Sequence, residues 1–157
     1  MPLLHRLRCL CILDVNQASF FVKLVFEDQP TLVTAGVQIG TPYLFTPEAL
    51  VSEIHLSSLK MAKDNSTAVT NLFSGRPARS IVNRIMRDLG LMSDWPTAFP
   101  TAGIALNPLK RAAEAEGRSD FSSLWSGQSV GLSQEMGAGD LTKKMANDAL
   151  GSFSFKD

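Results

Sequence analysis

Only one stretch of the sequence reads as a buried strand, and this shortage of strands limits the fold more than any other feature. Residues 33–39 form a short apolar run containing Gly36, which is typical of a parallel strand buried on both faces. One parallel strand cannot form a sheet. Either residues 1–30 supply its partners, or the strand belongs with others that this chain does not contain.

Helix signals dominate the rest of the sequence, so the chain is predicted to be mainly α-helical. Thr46-Pro47-Glu48 combines an N-cap hydroxyl, a proline at the first helical position and a first-turn carboxylate, which predicts a helix over 47–62. Further helices are predicted over 66–73, 77–89 (ending at Gly90), 107–116 (ending at Gly117), 119–132 (running into a glycine-rich turn) and 139–150 (ending at Gly151).

Composition favours one globular domain that binds neither nucleic acid nor membranes. The 157 residues are 45% hydrophobic and 19% charged, with a formal net charge of +0, so no long-range field attracts nucleic acid or acidic lipid. Cys9 and Cys11 form neither a metal-binding pattern nor a disulfide framework. Near the N-terminus Asp14 and Lys23 interrupt each apolar run, so neither a secretory leader nor a membrane span is predicted. A cytoplasmic location is expected.

The Gly40-Thr41 pair follows the predicted strand and precedes a predicted helix. A phosphate site needs backbone N–H groups, no Cβ in the way and a helix N-terminus nearby. Gly40 permits close approach and Thr41 adds a hydroxyl, and βα barrels often bind phosphate with the loops after their last strands. From the residues alone, a phosphate site and an ordinary strand-to-helix turn both remain open.

Three segments in order, 35–49 (AGVQIGTPYLFTPEA), 62–84 (AKDNSTAVTNLFSGRPARSIVNR) and 121–132 (FSSLWSGQSVGL), resemble the C-terminal part of the nitronate monooxygenases, also called the 2-nitropropane dioxygenase family. The resemblance covers roughly 33–150. It implies an FMN-dependent (β/α)8 TIM barrel, an α/β fold, that oxidises alkyl nitronates with dioxygen to carbonyl compounds and nitrite. This chain would carry only the last βα unit of that barrel plus the C-terminal helices.

The resemblance also implies site residues. Gln38, Ile39, Gly40 and Thr41 would lie against the FMN phosphate, whereas the family's active-site histidine lies upstream of the matching region, so no residue here is expected to be catalytic. The predicted division is a segment over 1–30 that does not resemble the family, a family domain over 31–151 and a tail over 152–157. The chain is expected to be a truncated enzyme, a pseudogene product or the product of a misjoined reading frame, and not to turn over nitronates.

Residues Ser126, Gly127 and Gln128 follow Trp125, and the resemblance allows them to line a flavin pocket. The alternative is a tryptophan in the core and a glycine that ends a helix. Both histidines, His5 and His55, are interpreted as ordinary surface or packing residues, because no nucleophile, base or ligand stands at useful spacing.

An arginine-rich stripe is predicted on the helix over 77–89, formed by Arg79, Asn83 and Arg87 with Arg76 and Arg84 nearby. It could clamp the C-terminal helices onto the barrel, form a solvated face or bind an anion. Two other functions remain open for the whole chain. One is a different FMN barrel such as a flavin-dependent enoyl reductase, and the other is a non-enzymatic helical association module.

Overall fold

The computed structural model describes residues 7–10, 23–26, 39–63 and 65–152, with the backbone alone for the first two ranges and for 149–152. The predicted strand over 33–39 and Gln38 lie outside the described residues, apart from Ile39, which has no regular structure.

Four α-helices and two small sheets make up the described part of the chain. The helices are α1 (Glu53–Met61), α2 (Arg84–Leu89), α3 (Ala102–Ala115) and α4 (Ala138–Ser152), with 3-10 turns at Thr41–Phe45 and Val130–Leu132. The strands are β1 (Leu7–Leu10), β2 (Lys23–Phe26), β3 (Thr67–Thr70) and β4 (Ala78–Ile81). Both sheets are antiparallel pairs, β1 with β2 and β3 with β4, and Thr67 lies opposite Ile81 in the second.

The hairpin of β3 and β4 replaces two predicted helical stretches. The helix over 66–73 is wrong, and the helix over 77–89 is right only in its second half, where α2 ends at Gly90 as expected. Three of the four residues of β3 are β-branched, and such side chains favour a pleated strand. Pairing then buries Thr70 and Ser80 completely, so tertiary contacts outweigh the local helical signals.

The predicted start of the first helix is also wrong. Ser52 caps α1, because its Oγ accepts the backbone N–H of His55 (3.3 Å). Thr46 instead ends the first 3-10 turn, where its hydroxyl donates to the Tyr43 carbonyl (2.9 Å). The 3-10 turn at Thr41–Phe45 therefore lies between Gly40 and helix α1.

Helix α3 begins before its predicted cap at Asn107 and contains Pro108 in its interior. Ala102 and Ala113 are both buried, so packing holds the two ends of α3 and outweighs the backbone hydrogen bond that proline removes. The helix predicted over 139–150 is confirmed as α4. The stretch 119–132 forms only the 3-10 turn at its end.

Two apolar clusters form the core on either side of the residues around Trp125. The first contains Leu59, Ile81, Leu124 and Val130, and the second contains Leu72, Phe73, Ile85 and Met86. Trp125 packs against the second cluster, with its ring edge-to-face on Phe73 at 5.7 Å between centroids. Residues 124–130 are thus held between the two halves of the core.

Candidate functional site

The structure brings together the two segments in which flavin-binding residues are predicted. The backbone N–H of Gly127 donates to Thr41 Oγ1 across 2.8 Å, and this bond is buried. Thr41 is 1% exposed and Ser126 is 0% exposed. The Gly-Thr turn and the turn after Trp125 therefore meet at one place, although 86 positions separate their residues.

The turn after Trp125 is aligned by strand β4. Leu124 O accepts from the Ile81 N–H (2.9 Å) and from the Ser80 hydroxyl (2.9 Å), and the Ser126 N–H donates to Arg79 O (3.3 Å). Trp125 thereby forms an isolated antiparallel bridge with Ser80. This pairing presents residues 125–128 to the Gly-Thr turn with a fixed backbone.

Helix α1 approaches the same turn through His55. Its Nε2 lies 2.9 Å from the carbonyl oxygen of Trp125. Since a carbonyl only accepts, the bond requires a proton on Nε2. Burial of the half-buried ring lowers the pKa of His55, the hydrogen bond to Trp125 opposes this, and the charge of Lys110 lowers it further. The imidazole is therefore neutral near pH 7 and donates without burying a charge.

The Gly-Thr turn is also attached to helix α4. The backbone N–H of Ala138, at the start of α4, donates to the Glu48 carboxylate at 3.1 and 3.2 Å from its two oxygens. Tyr43 Oη and Thr142 Oγ1 lie 2.8 Å apart. The last helix is thus fixed to the residues that immediately follow the predicted phosphate site.

The predicted site residues differ in accessibility. Ile39 and Gly40 are half-buried, Gly127 is buried, and Gln128 is exposed. The Ser126 hydroxyl donates to the Gly127 carbonyl (3.1 Å). The Thr41 and Ser126 side chains therefore hold the turn from inside, whereas Gln128 lies at the surface.

Comparisons with known proteins agree on one family. A sequence model of the nitronate monooxygenase family matches residues 31–148. A probable nitronate monooxygenase of Staphylococcus saprophyticus is 32% identical over 73% of this chain and 32% of its own length. The nitronate monooxygenase of Pseudomonas aeruginosa is 31% identical over 76% of this chain and 34% of its own.

A solved structure supports the same relationship. The nitroalkane oxidase of Streptomyces ansochromogenes superposes with a TM-score of 0.60 and 34% identity, over 70% of this chain and 31% of its own. The chain belongs to the nitronate monooxygenase family. This is a family of TIM-barrel oxidoreductases, and the present chain spans about a third of the length of the relatives it matches, in their C-terminal part.

The arginine-rich stripe predicted on the helix over 77–89 does not lie on one helix. Arg79 is on β4 and donates to the Thr67 carbonyl and hydroxyl (both 3.3 Å), whereas Arg84 and Arg87 are on α2. Arg76 lies over the Phe99 ring at 4.5 Å. Asn83 is 4% exposed and donates to Ser119 O and Ser122 O, at 3.0 and 2.9 Å. The clamping of helices onto a barrel stays a prediction.

No sequence motif links His55 to residues 124–127 (the Trp125 turn), and its hydrogen-bond partner is 70 positions away. The contact depends on tertiary structure, because helix α1 supplies the ring and strand β4 aligns residues 124–126. Within the residues that the structure describes, no helix is long and apolar enough to cross a membrane. The same residues contain no group of His, Cys, Asp or Glu side chains able to hold a metal ion.

Proposed function

We propose that this chain forms the C-terminal part of an FMN site in a nitronate monooxygenase, an enzyme that oxidises alkyl nitronates with dioxygen to carbonyl compounds and nitrite. The supporting observation is the buried hydrogen bond from Gly127 N–H to Thr41 Oγ1 (2.8 Å). It joins the two segments that the family resemblance assigns to the flavin. A bound flavin would supply the redox chemistry, and the residues here would bind and orient it.

The residues present fit such a role unequally. Gly40 is half-buried and has no Cβ, so its backbone is the best candidate for contact with the phosphate. Thr41 is 1% exposed and its hydroxyl already accepts from Gly127, so we assign it chiefly to holding the turn. Ile39 and Gln38 precede Gly40 in the same proposed site, and we assign the amide of the exposed Gln128 to contact with the flavin ring.

Binding of FMN and of riboflavin, which lacks only the phosphate, tests this assignment. We expect the chain to bind FMN about tenfold or more tightly than riboflavin, since a charge-assisted hydrogen bond contributes about 1.5–3 kcal/mol. Gly40→Ala should remove that preference by placing a Cβ at the phosphate. Gly139→Ala is the matched control, because nothing lies within 4 Å of a Cβ at that glycine.

Equal affinity for the two flavins, or no binding of either, would contradict the phosphate assignment. A compact chain that is indifferent to both flavins would instead support a helical association module. Flavin fluorescence quenching gives the affinities, and light scattering gives the size of the particle.

The 157-residue polypeptide alone is expected not to catalyse the reaction. The family's active-site histidine belongs to the region upstream of the match, and the chain spans 32–34% of the curated relatives. We expect purified polypeptide with FMN to release nitrite from an alkyl nitronate no faster than free FMN does. Release above that background would show that these residues suffice.

We also propose a cytoplasmic location for the protein.

A further inference from the structure

His55 makes a contact that neither its helix nor the core requires. Its backbone N–H is used by the Ser52 cap of α1, so the end of the helix is satisfied without the ring. The ring is half-buried and its Nε2 reaches across to the Trp125 carbonyl at 2.9 Å. Among the described residues, it is the hydrogen bond by which α1 holds the Trp125 turn.

This contact fixes one end of a peptide plane whose other end is fixed independently. The carbonyl of Trp125 and the N–H of Ser126 belong to the same planar peptide unit. The carbonyl accepts from His55, and the N–H donates to Arg79 O (3.3 Å). The orientation of this unit is therefore set from both sides, by α1 and by β4.

The next peptide unit carries the N–H of Gly127, which donates to Thr41. Only the two backbone dihedrals of Ser126 separate this N–H from the fixed plane. Ser126 is 0% exposed and its hydroxyl donates to the Gly127 carbonyl (3.1 Å), which further limits the ψ of Ser126. The position of the Gly127 N–H, and of Gln128 after it, therefore depends on the Trp125 carbonyl.

We propose that His55 is a positioning residue of the flavin site: by holding the Trp125 carbonyl, it sets the Gly127 N–H against Thr41 and places Gln128. This inference rests on the proposed function, because it assigns His55 to the same site. His55 touches neither flavin nor substrate in this role. It acts through the backbone of residues 125–127, in its neutral form with the proton on Nε2.

The test uses the full chain and two kinds of measurement on the same variants. Amide hydrogen exchange reports whether the Gly127 N–H keeps its partner, with no flavin present. The ratio of FMN to riboflavin affinity reports whether the site keeps its geometry. The variants are His55→Ala, which removes the donor, and His55→Gln, whose amide can still donate. Ser57→Ala is the matched control, since Ser57 is exposed on the same helix.

We expect His55→Ala to raise the exchange rate of the Gly127 amide about fivefold or more, as the loss of a hydrogen bond implies, and to reduce the preference for FMN. His55→Gln should restore most of both quantities, and Ser57→Ala should change neither. If His55→Ala unfolds the chain, the His55→Gln variant still gives a comparison. Failure of His55→Gln to restore the protection of Gly127 then counts against the proposal.

The two measurements separate this inference from the proposed function. Unchanged exchange at Gly127 in His55→Ala would overturn the positioning role whatever the flavin affinities are. Increased exchange with an unchanged FMN preference would also overturn it, because the turn would then move without consequence for the site. Absence of FMN preference in the unmodified chain would refute the proposed function instead, and with it the flavin part of this inference.

Discussion

Two segments of the chain carry one tryptophan each, and they differ in how far they are buried and hydrogen-bonded to the rest of the fold. The Trp125 turn, residues 124–127, is fixed by hydrogen bonds from β4, α1 and the Gly-Thr turn. The Trp95 loop, residues 91–99, leaves Trp95 82% exposed, with Met92 and Phe99 also exposed. Both are irregular in backbone. Burial of polar backbone groups with satisfied partners, rather than regular structure, makes the first segment rigid.

The Trp95 loop is attached to the rest of the fold at its base. Asn71 Oδ1 accepts a hydrogen bond from the backbone N–H of Ser93 (3.0 Å), and Asn71 Nδ2 donates one to the Ser93 carbonyl (2.7 Å). Gly75, in the connection between β3 and β4, lies directly against the backbone of 97–99. The hairpin of β3 and β4 therefore contacts the Trp125 turn along strand β4 and contacts the Trp95 loop at the connection between the two strands. Mutations can perturb each contact separately.

The largest difference in unfolding free energy is expected between variants of two methionines, one packed near Trp125 and the other within the Trp95 loop. Met86 is 1% exposed in the cluster that packs against Trp125, whereas Met92 is 56% exposed in the Trp95 loop. Met86→Ala should lower the free energy of unfolding by about 2–5 kcal/mol through the cavity it leaves. Met92→Ala should change it by less than about 0.5 kcal/mol. Urea denaturation measures both, and equal losses would show that the loop is packed as tightly as the core.

The second prediction concerns two glycines with similar backbones and different surroundings. Gly75 (φ +80) and Gly117 (φ +72) both adopt left-handed conformations. A Cβ at Gly75 would lie 2.6 Å from Thr97 O and 2.7 Å from Phe99 N, whereas nothing lies within 4 Å at Gly117. Gly75→Ala should cost more than about 2 kcal/mol because strain and overlap add. Gly117→Ala should cost about 1 kcal/mol from strain alone.

Tryptophan fluorescence adds a local measurement to that pair. Displacement of the loop by Gly75→Ala should alter the emission of Trp95 in a Trp125→Phe background, where Trp95 is the remaining tryptophan. An equal cost for the two glycine variants would mean that the loop moves away from the hairpin freely.

The third prediction breaks the contact between the Trp125 turn and the Gly-Thr turn. Thr41→Val keeps the shape of the side chain and removes the acceptor of the buried Gly127 N–H. Leaving that donor without a partner should cost about 1–3 kcal/mol of unfolding free energy. Thr142→Val is the control, because Thr142 is exposed and water can replace its bonds. A loss no larger than that of the control would indicate that the buried bond contributes little.

The family resemblance assigns Gly40-Thr41 and Ser126-Gly127 to one flavin site, and the structure places Thr41 and Gly127 in contact. Their role in binding a flavin stays a prediction, whereas several elements that position them differ from those predicted. The sequence predicts helices where the β3–β4 hairpin lies, since Pro77 and the apolar spacing after it also suit a helix start. The hairpin depends on burial of Thr70 and Ser80, and Ser80 reaches its partner Leu124 only in the folded chain. The contact between His55 and Trp125 likewise forms only in the folded chain, so the sequence could not predict it.

The smallest expected effect is a pH dependence that arises from the burial of His55 beside the Trp125 turn. Burial lowers the pKa of folded His55 below the value of about 6.5 expected for the unfolded chain. Between those two values the unfolded chain binds more protons. The contribution of neutral His55 to the free energy of unfolding is therefore complete above about pH 6.5. It is lost as the pH falls through the pKa of the folded state.

Urea denaturation of the unmodified chain and of His55→Gln at pH 7.5 and pH 5.5 measures this contribution. We expect the unmodified chain to lose more stability on acidification than the variant does, by less than the differences predicted above, because the ring is only half-buried. His5 and the carboxylates are common to both proteins and cancel in the comparison. An equal loss in the two proteins would mean that His55 titrates alike in the folded and unfolded states. A larger loss in the variant would mean that protonation strengthens the bond to Trp125, and the neutral ring would then not be the form that holds the turn.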